Sequence, residues 1–104
     1  MSLKEAYKLK VEAEMELAHA KLLEFKAESK NYTADAYIKY TKHLEELDNM
    51  HRIAKEKLGE LQSAGEDKWE KLKDGVESAW HAFSSAIKDS AEKFKTTNTE
   101  KDNK

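Results

Sequence analysis

A chain of 104 residues and 12.0 kDa makes one ordinary domain at most. Charged and hydrophobic residues each account for 38%, and the mean hydropathy of -0.95 borders on that of disordered chains. The 19 basic and 21 acidic residues leave a net charge of -2, with no global basic excess to hold nucleic acid or an anionic membrane. The absence of cysteine excludes disulfides and thiolate chemistry and leaves the compartment unreadable from redox usage. Uninterrupted apolar runs reach only two or three residues, so neither a signal peptide nor a transmembrane helix is expected.

Disorder does not fit, because the apolar residues are too regularly placed. From Leu3 to Leu58 there is no glycine and no proline, and apolar residues recur at spacings of three and four. In the first segment Val11, Met15, Ala18, Leu22, Phe25, Ser29, Tyr32 and Ala36 alternate steps of four and three, forming a heptad seam. Tyr37, Tyr40, Leu44, Leu47, His51, Ala54, Leu58 and Leu61 form a second. The seams slip by one residue between Ala36 and Tyr37, which marks either a skip in a continuous coiled coil or a turn between two helices. Asn31 and Thr33 suit a helix end and a new cap. No glycine, proline or polar cluster reinforces them, so the preferred reading is one helix over 3–62, on the order of 90 Å long.

The next break is clearer. Ser63-Ala64-Gly65-Glu66-Asp67 offers Gly65 for a left-handed helix C-terminus, and its acidic residues suit the start of another helix, giving a turn at 63–67. A helix over 68–95 follows, carrying Trp69, Leu72, Val76, Ala79, Trp80, Phe83, Ala86, Ile87, Ala91 and Phe94. This stripe is wider and more aromatic than the others and predicts a helix sandwiched between neighbours. Gly75 inside it costs about 1 kcal/mol relative to Ala, which a close helix crossing would explain. Residues 96–104 have nothing to bury and read as a disordered tail outside the single domain 1–95.

Several residue patterns invite a chemical reading. Glu16 and His19, and again Asp48 and His51, place a carboxylate three residues before a histidine, as ligand-bearing helices of di-iron bundles do. Such bundles also need inward glutamates on two further helices, and these spacings arise freely in so charged a chain. Solvated surface is the better reading for Glu16 and His19, and a register-setting polar position for His51. Trp69, Trp80, Phe83 and Phe94 share one helix side and read as core rather than as a lipid or partner face. The mixed lysines and acids of the last helix are a solvated face, unlike the lysine-rich face of a membrane-surface helix. Tyr32, Tyr37 and Tyr40 lack the basic surroundings that base stacking requires. Ser84, Ser85 and Ser90 have no recognisable nucleophile context, and no glycine-rich phosphate loop occurs.

The stretch Trp69-Glu-Lys-Leu72-Lys73-Asp-Gly75-Val76-Glu77-Ser-Ala79-Trp80, with Ala86, Ala91 and Phe94 beyond it, resembles the C-terminal segment of a group of small bacterial coiled-coil proteins. Their pattern W-x-x-L-K-x-G-V-E-x-A-W follows a long charged helix. Tyr7, Leu9, Ala13, Ala27, Tyr40, Leu44, Leu47, Ala54, Leu58 and Leu61 extend the similarity upstream. The chain departs from the group in being poorer in alanine and richer in tyrosine around residues 32–40. The resemblance implies a bacterial origin and an all-helical fold, and it transfers no site residues. The group has no established enzymatic activity, and some members carry stress-related labels.

The expectation is therefore an all-α fold: a long N-terminal helix, and an antiparallel C-terminal helix covering its second half. The exposed seam from Val11 to Phe25 would then be buried in an antiparallel homodimer. The alternative is a monomeric three-helix bundle of roughly 3–30, 33–62 and 67–95. The expected function is a non-enzymatic structural or protein-interaction module in the cytoplasm, with no catalytic, cofactor or metal residues. Its partner would be a second copy or another helical protein, not nucleic acid. The alternatives are a peripheral lipid-surface or stress-protective protein using the last helix and, less favoured, a metal-binding bundle.

Overall fold

The computed structural model describes residues 2–102, with side chains described through Lys93. The described residues form three helices: α1 (Leu3–Ser29), α2 (Ala34–Ser63) and α3 (Trp69–Asp102). They pack pairwise in an up-down-up bundle measuring 58 × 20 × 17 Å. The architecture is the three-helix alternative, and the single 90 Å helix over 3–62 is corrected. Phe94, expected in the stripe, and the expected tail at 96–104 fall where side chains lie outside the described residues, and the backbone of α3 continues to Asp102.

The chain turns at 30–33 without glycine or proline. The Ser29 hydroxyl donates to the Lys26 carbonyl at 2.7 Å, and the amides of Lys30, Asn31 and Tyr32 each donate three residues back. These short loops tighten the end of α1 and satisfy its last carbonyls. Thr33 then goes extended, with its hydroxyl accepting from the Ala36 amide at 3.2 Å as an N-cap. Tyr32 is the anchor. It is buried and meets Tyr40 edge-on at 5.8 Å, so the chain must fold back at this point. Burial, helped by Glu28, pushes its hydroxyl up to about 12.

The second turn departs from expectation in its backbone. No described residue has positive φ, so Gly65 is not left-handed. Ala64 is extended instead, and the Gly65 carbonyl accepts from the amides of Lys68 and Trp69. The end of α2 is capped from another helix. The Lys4 ammonium donates to the carbonyls of Gln62 and Ala64 at 3.2 and 2.9 Å, placing a cation on the negative end of the helix dipole. Gly75 does not sit at a close crossing either. A Cβ added there would meet nothing within 4 Å.

Both seams read from the sequence line the core, except at Tyr37, which opens the second seam and is exposed. One cluster joins Val11 and Met15 of α1, Ala54, Leu58 and Leu61 of α2, and Trp69 and Val76 of α3. The other joins Leu22, Phe25, Tyr32, Leu44, Leu47, Phe83 and Ile87 near the first turn. The seam from Val11 to Phe25 is thus covered within the chain. In α3 the centre of the buried stripe is Val76 and Phe83, both fully buried, while Trp80 is only partly buried at its rim. Tyr7 adds a polar tie, its hydroxyl donating to Glu77 Oε1 at 3.2 Å. Burial and the neighbouring Glu77 carboxylate hold that hydroxyl far above the usual tyrosine range.

Candidate functional site

The two carboxylate–histidine patterns meet across α1 and α2. The rings of His19 and His51 stack with centroids 4.1 Å apart and an interplanar angle of 3°. His51 also lies 5.3 Å from the ring of Phe83, against the core. The pair lines a groove of about 520 Å³ with Glu12, Glu16, Lys55 and Gln62. Burial lowers the affinity of His51 for a proton, and the fields of His19 and Lys55 add to that, opposed by Asp48. Face-to-face rings direct their nitrogen lone pairs into parallel planes, which do not converge on one ion. Asp48 is engaged elsewhere, holding the Lys26 ammonium with both oxygens at 2.8 Å. No group of three or more His, Cys, Asp or Glu among the described residues is placed to hold a metal.

A second arrangement was not read from the sequence at all. His43 Nε2 lies 2.6 Å from Ser90 Oγ, and His43 Nδ1 lies 3.9 Å from Glu46. Serine, histidine and carboxylate in that order resemble a nucleophile, a base and its orienting acid. The details say otherwise. Ser90 is fully buried in mid-helix, and its hydroxyl donates to the Ala86 carbonyl at 2.7 Å. With none of its surface exposed, that hydroxyl is out of reach of any substrate. The contact is a polar tie between α2 and α3. It was invisible in the sequence because 47 residues separate its members.

The third feature is a surface. The face of α1 turned away from the bundle carries Ala6, Leu9, Ala13, Leu17, Ala20, Leu23 and Ala27, all exposed. Leu9, Leu17 and Leu23 are 48%, 75% and 51% exposed. The four alanines recur at seven-residue intervals, with Leu9 and Leu23 three residues after an alanine, Glu16 at the equivalent middle place and Leu17 beside it. Helix α1 therefore has two apolar stripes on opposite sides, of which the bundle uses one. The outer stripe was missed because the stronger inner seam explains the helix by itself, although the sevenfold alanine repeat was there to be read.

The remaining expected positions scatter. Tyr32 is buried and Tyr40 half-buried with the Lys39 ammonium over its ring, while Tyr37 is exposed. Ser84 is half-buried and Ser85 exposed on α3. Comparison with known proteins finds no matching family model, curated protein or solved structure. The residues themselves must carry the functional reading.

Proposed function

We propose that this protein is a non-enzymatic helical interaction module whose working surface is the outward face of α1. The observation that carries the proposal is the exposure of Leu9, Leu17 and Leu23 along one helix side that no part of the described chain covers. Isolated exposed leucines need no explanation, but three on one side of a helix in a charged protein, linked by four exposed alanines and interrupted by Glu16, point to association. The two other polar clusters serve the bundle, which supports a role outside catalysis. The resemblance to small bacterial coiled-coil proteins, which implies a bacterial origin and an all-helical fold, accords with this reading.

The homodimer expected from the sequence relied on an unpaired Val11–Phe25 seam, and burial of that seam inside the bundle removes its original basis. The lipid-surface alternative relied on the aromatic face of α3. Trp69, Val76, Phe83 and Ile87 are all buried, so little of that face is left to insert. No described helix is long and apolar enough to cross a membrane.

The test is the double variant Leu17→Glu/Leu23→Glu, melted at sub-micromolar concentration where no partner occupies the face. A surface kept for partners tolerates it, so helicity and melting temperature stay at wild-type values. A melting temperature lowered by several degrees means that the stripe is packed in the folded chain, and the proposal fails.

A further inference from the structure

Resting on that reading, we propose that the occupant of the outer α1 face is a second copy of the same face, running antiparallel with its twofold axis at residue 18. Exposed apolar stripes alone do not choose a partner, but the charges flanking this one do. Taking the alanines as the a positions of a heptad, Leu9, Glu16 and Leu23 occupy d. Lys10, Leu17 and Glu24 then line one edge, and Glu12, His19 and Lys26 line the other.

Antiparallel helices bring each edge against its own copy. With the axis at residue 18, Lys10 meets Glu24 of the partner and Glu12 meets Lys26 of the partner, and the symmetry repeats both pairs. Leu17 meets its own copy on one edge and His19 on the other. In the core of the seam Ala13 packs on the partner's Leu23 and Ala27 on the partner's Leu9. Glu16 falls opposite Ala20, a small residue that leaves its carboxylate room to reach water.

Other arrangements fit less well. A parallel pair sets Glu16 against Glu16 in the seam, a like-charge contact. An antiparallel pair shifted by one heptad, with its axis midway between residues 14 and 15, puts Lys10 beside Leu17 and keeps fewer opposite-charge pairs. The intrachain contacts of these residues do not compete strongly. Lys21 to Glu24 at 3.1 Å is an exposed pair of little strength, and Lys8 to Glu12 at 3.3 Å is a half-buried pair within one helix turn that leaves the second Glu12 oxygen free for a partner. Lys26 holds Asp48, but an ammonium carries three donors and can serve a second carboxylate. A single-helix seam is smaller than a standard interface of about 1,600 Å², so the association is expected to be weak and reversible, in the micromolar range.

Sedimentation of the full chain over micromolar to hundreds-of-micromolar concentration tests this. Wild type should move from a 12.0 kDa species towards twice that mass. Lys10→Glu should weaken association on the order of tenfold, because each substitution converts two attractions into repulsions. Glu24→Lys should do the same, and the double variant Lys10→Glu/Glu24→Lys should restore wild-type affinity. Residues 10 and 24 lie about 21 Å apart along one helix, so rescue can arise only between chains. A 12.0 kDa species throughout the range overturns the proposal, as does association that ignores Lys10→Glu or is not rescued by the double variant. Such a result, with Leu17→Glu/Leu23→Glu still melting like wild type, leaves the face for a different partner. If that variant instead melts early, the interaction module itself falls.

Discussion

Helices α1 and α3 lie side by side in the bundle, yet they use apolar residues differently. In α3 the apolar residues gather on one broad side, and most of that side is spent on the core, with Leu72 left exposed. In α1 they divide into two narrow stripes about half a turn apart, one buried and one facing solvent. Leu22 and Leu23 show the division in neighbouring residues: the first is fully buried and the second is 51% exposed. A helix needs only one stripe to join a bundle. The second stripe of α1 is surplus to folding, and that is the reason to seek its role in association.

The largest expected effect sharpens the α3 half of the comparison. Phe83 is fully buried where α3 meets both neighbours, so Phe83→Ala should cost about 3–5 kcal/mol in chemical denaturation. Trp80, at the rim, should cost only about 1–2 kcal/mol when changed to Ala, despite its larger side chain. Equal losses at the two positions would mean that α3 is rotated from the orientation described.

A smaller effect comes from the stacked histidines that join α1 to α2. Because His51 binds a proton less readily in the folded chain than its ordinary 6.5, the unfolded chain takes up the proton first as the medium acidifies. The contribution of His51 to stability is therefore complete above pH 6.5 and is lost as pH falls from there through the lowered folded value. Melting temperature should decline across that interval, and His51→Gln should flatten the decline. A slope unchanged by His51→Gln would assign it to other groups.

The smallest effect has the opposite sign. Gly75 lies in mid-helix with open space where a Cβ would stand, so Gly75→Ala should stabilise the chain by about 0.5–1 kcal/mol. A loss of stability would restore the close helix crossing that its sequence position suggested.

Much of this fold was legible in the sequence, and the gaps have physical reasons. Both heptad seams and the aromatic stripe of α3 identify the core, because steps of three and four leave few other residues to bury. The turn at 30–33 was harder. Its markers are a one-residue phase slip and a threonine cap, while the force that folds the chain back is the burial of Tyr32, a tertiary event. Gly65 and Gly75 were over-read, since glycine permits special backbone and close packing without requiring either. The pairing of His43 with Ser90 depends on how α2 and α3 are aligned, which no local pattern encodes. Trp80, one turn from both Val76 and Phe83, reads as core from its place on the stripe, whereas the packing of α3 leaves it partly buried at the rim.

The division of α1 into an inner and an outer face is tested most directly by thermal or chemical unfolding of Leu22→Ala and Leu23→Ala. The two substitutions are chemically identical and adjacent in the chain. Leu22→Ala should cost about 2–5 kcal/mol, as expected for a fully buried leucine. Leu23→Ala should stay within about 0.5 kcal/mol of wild type. Comparable losses at both positions, or a larger loss at Leu23, would contradict the two-faced helix and the function proposed for its outer side.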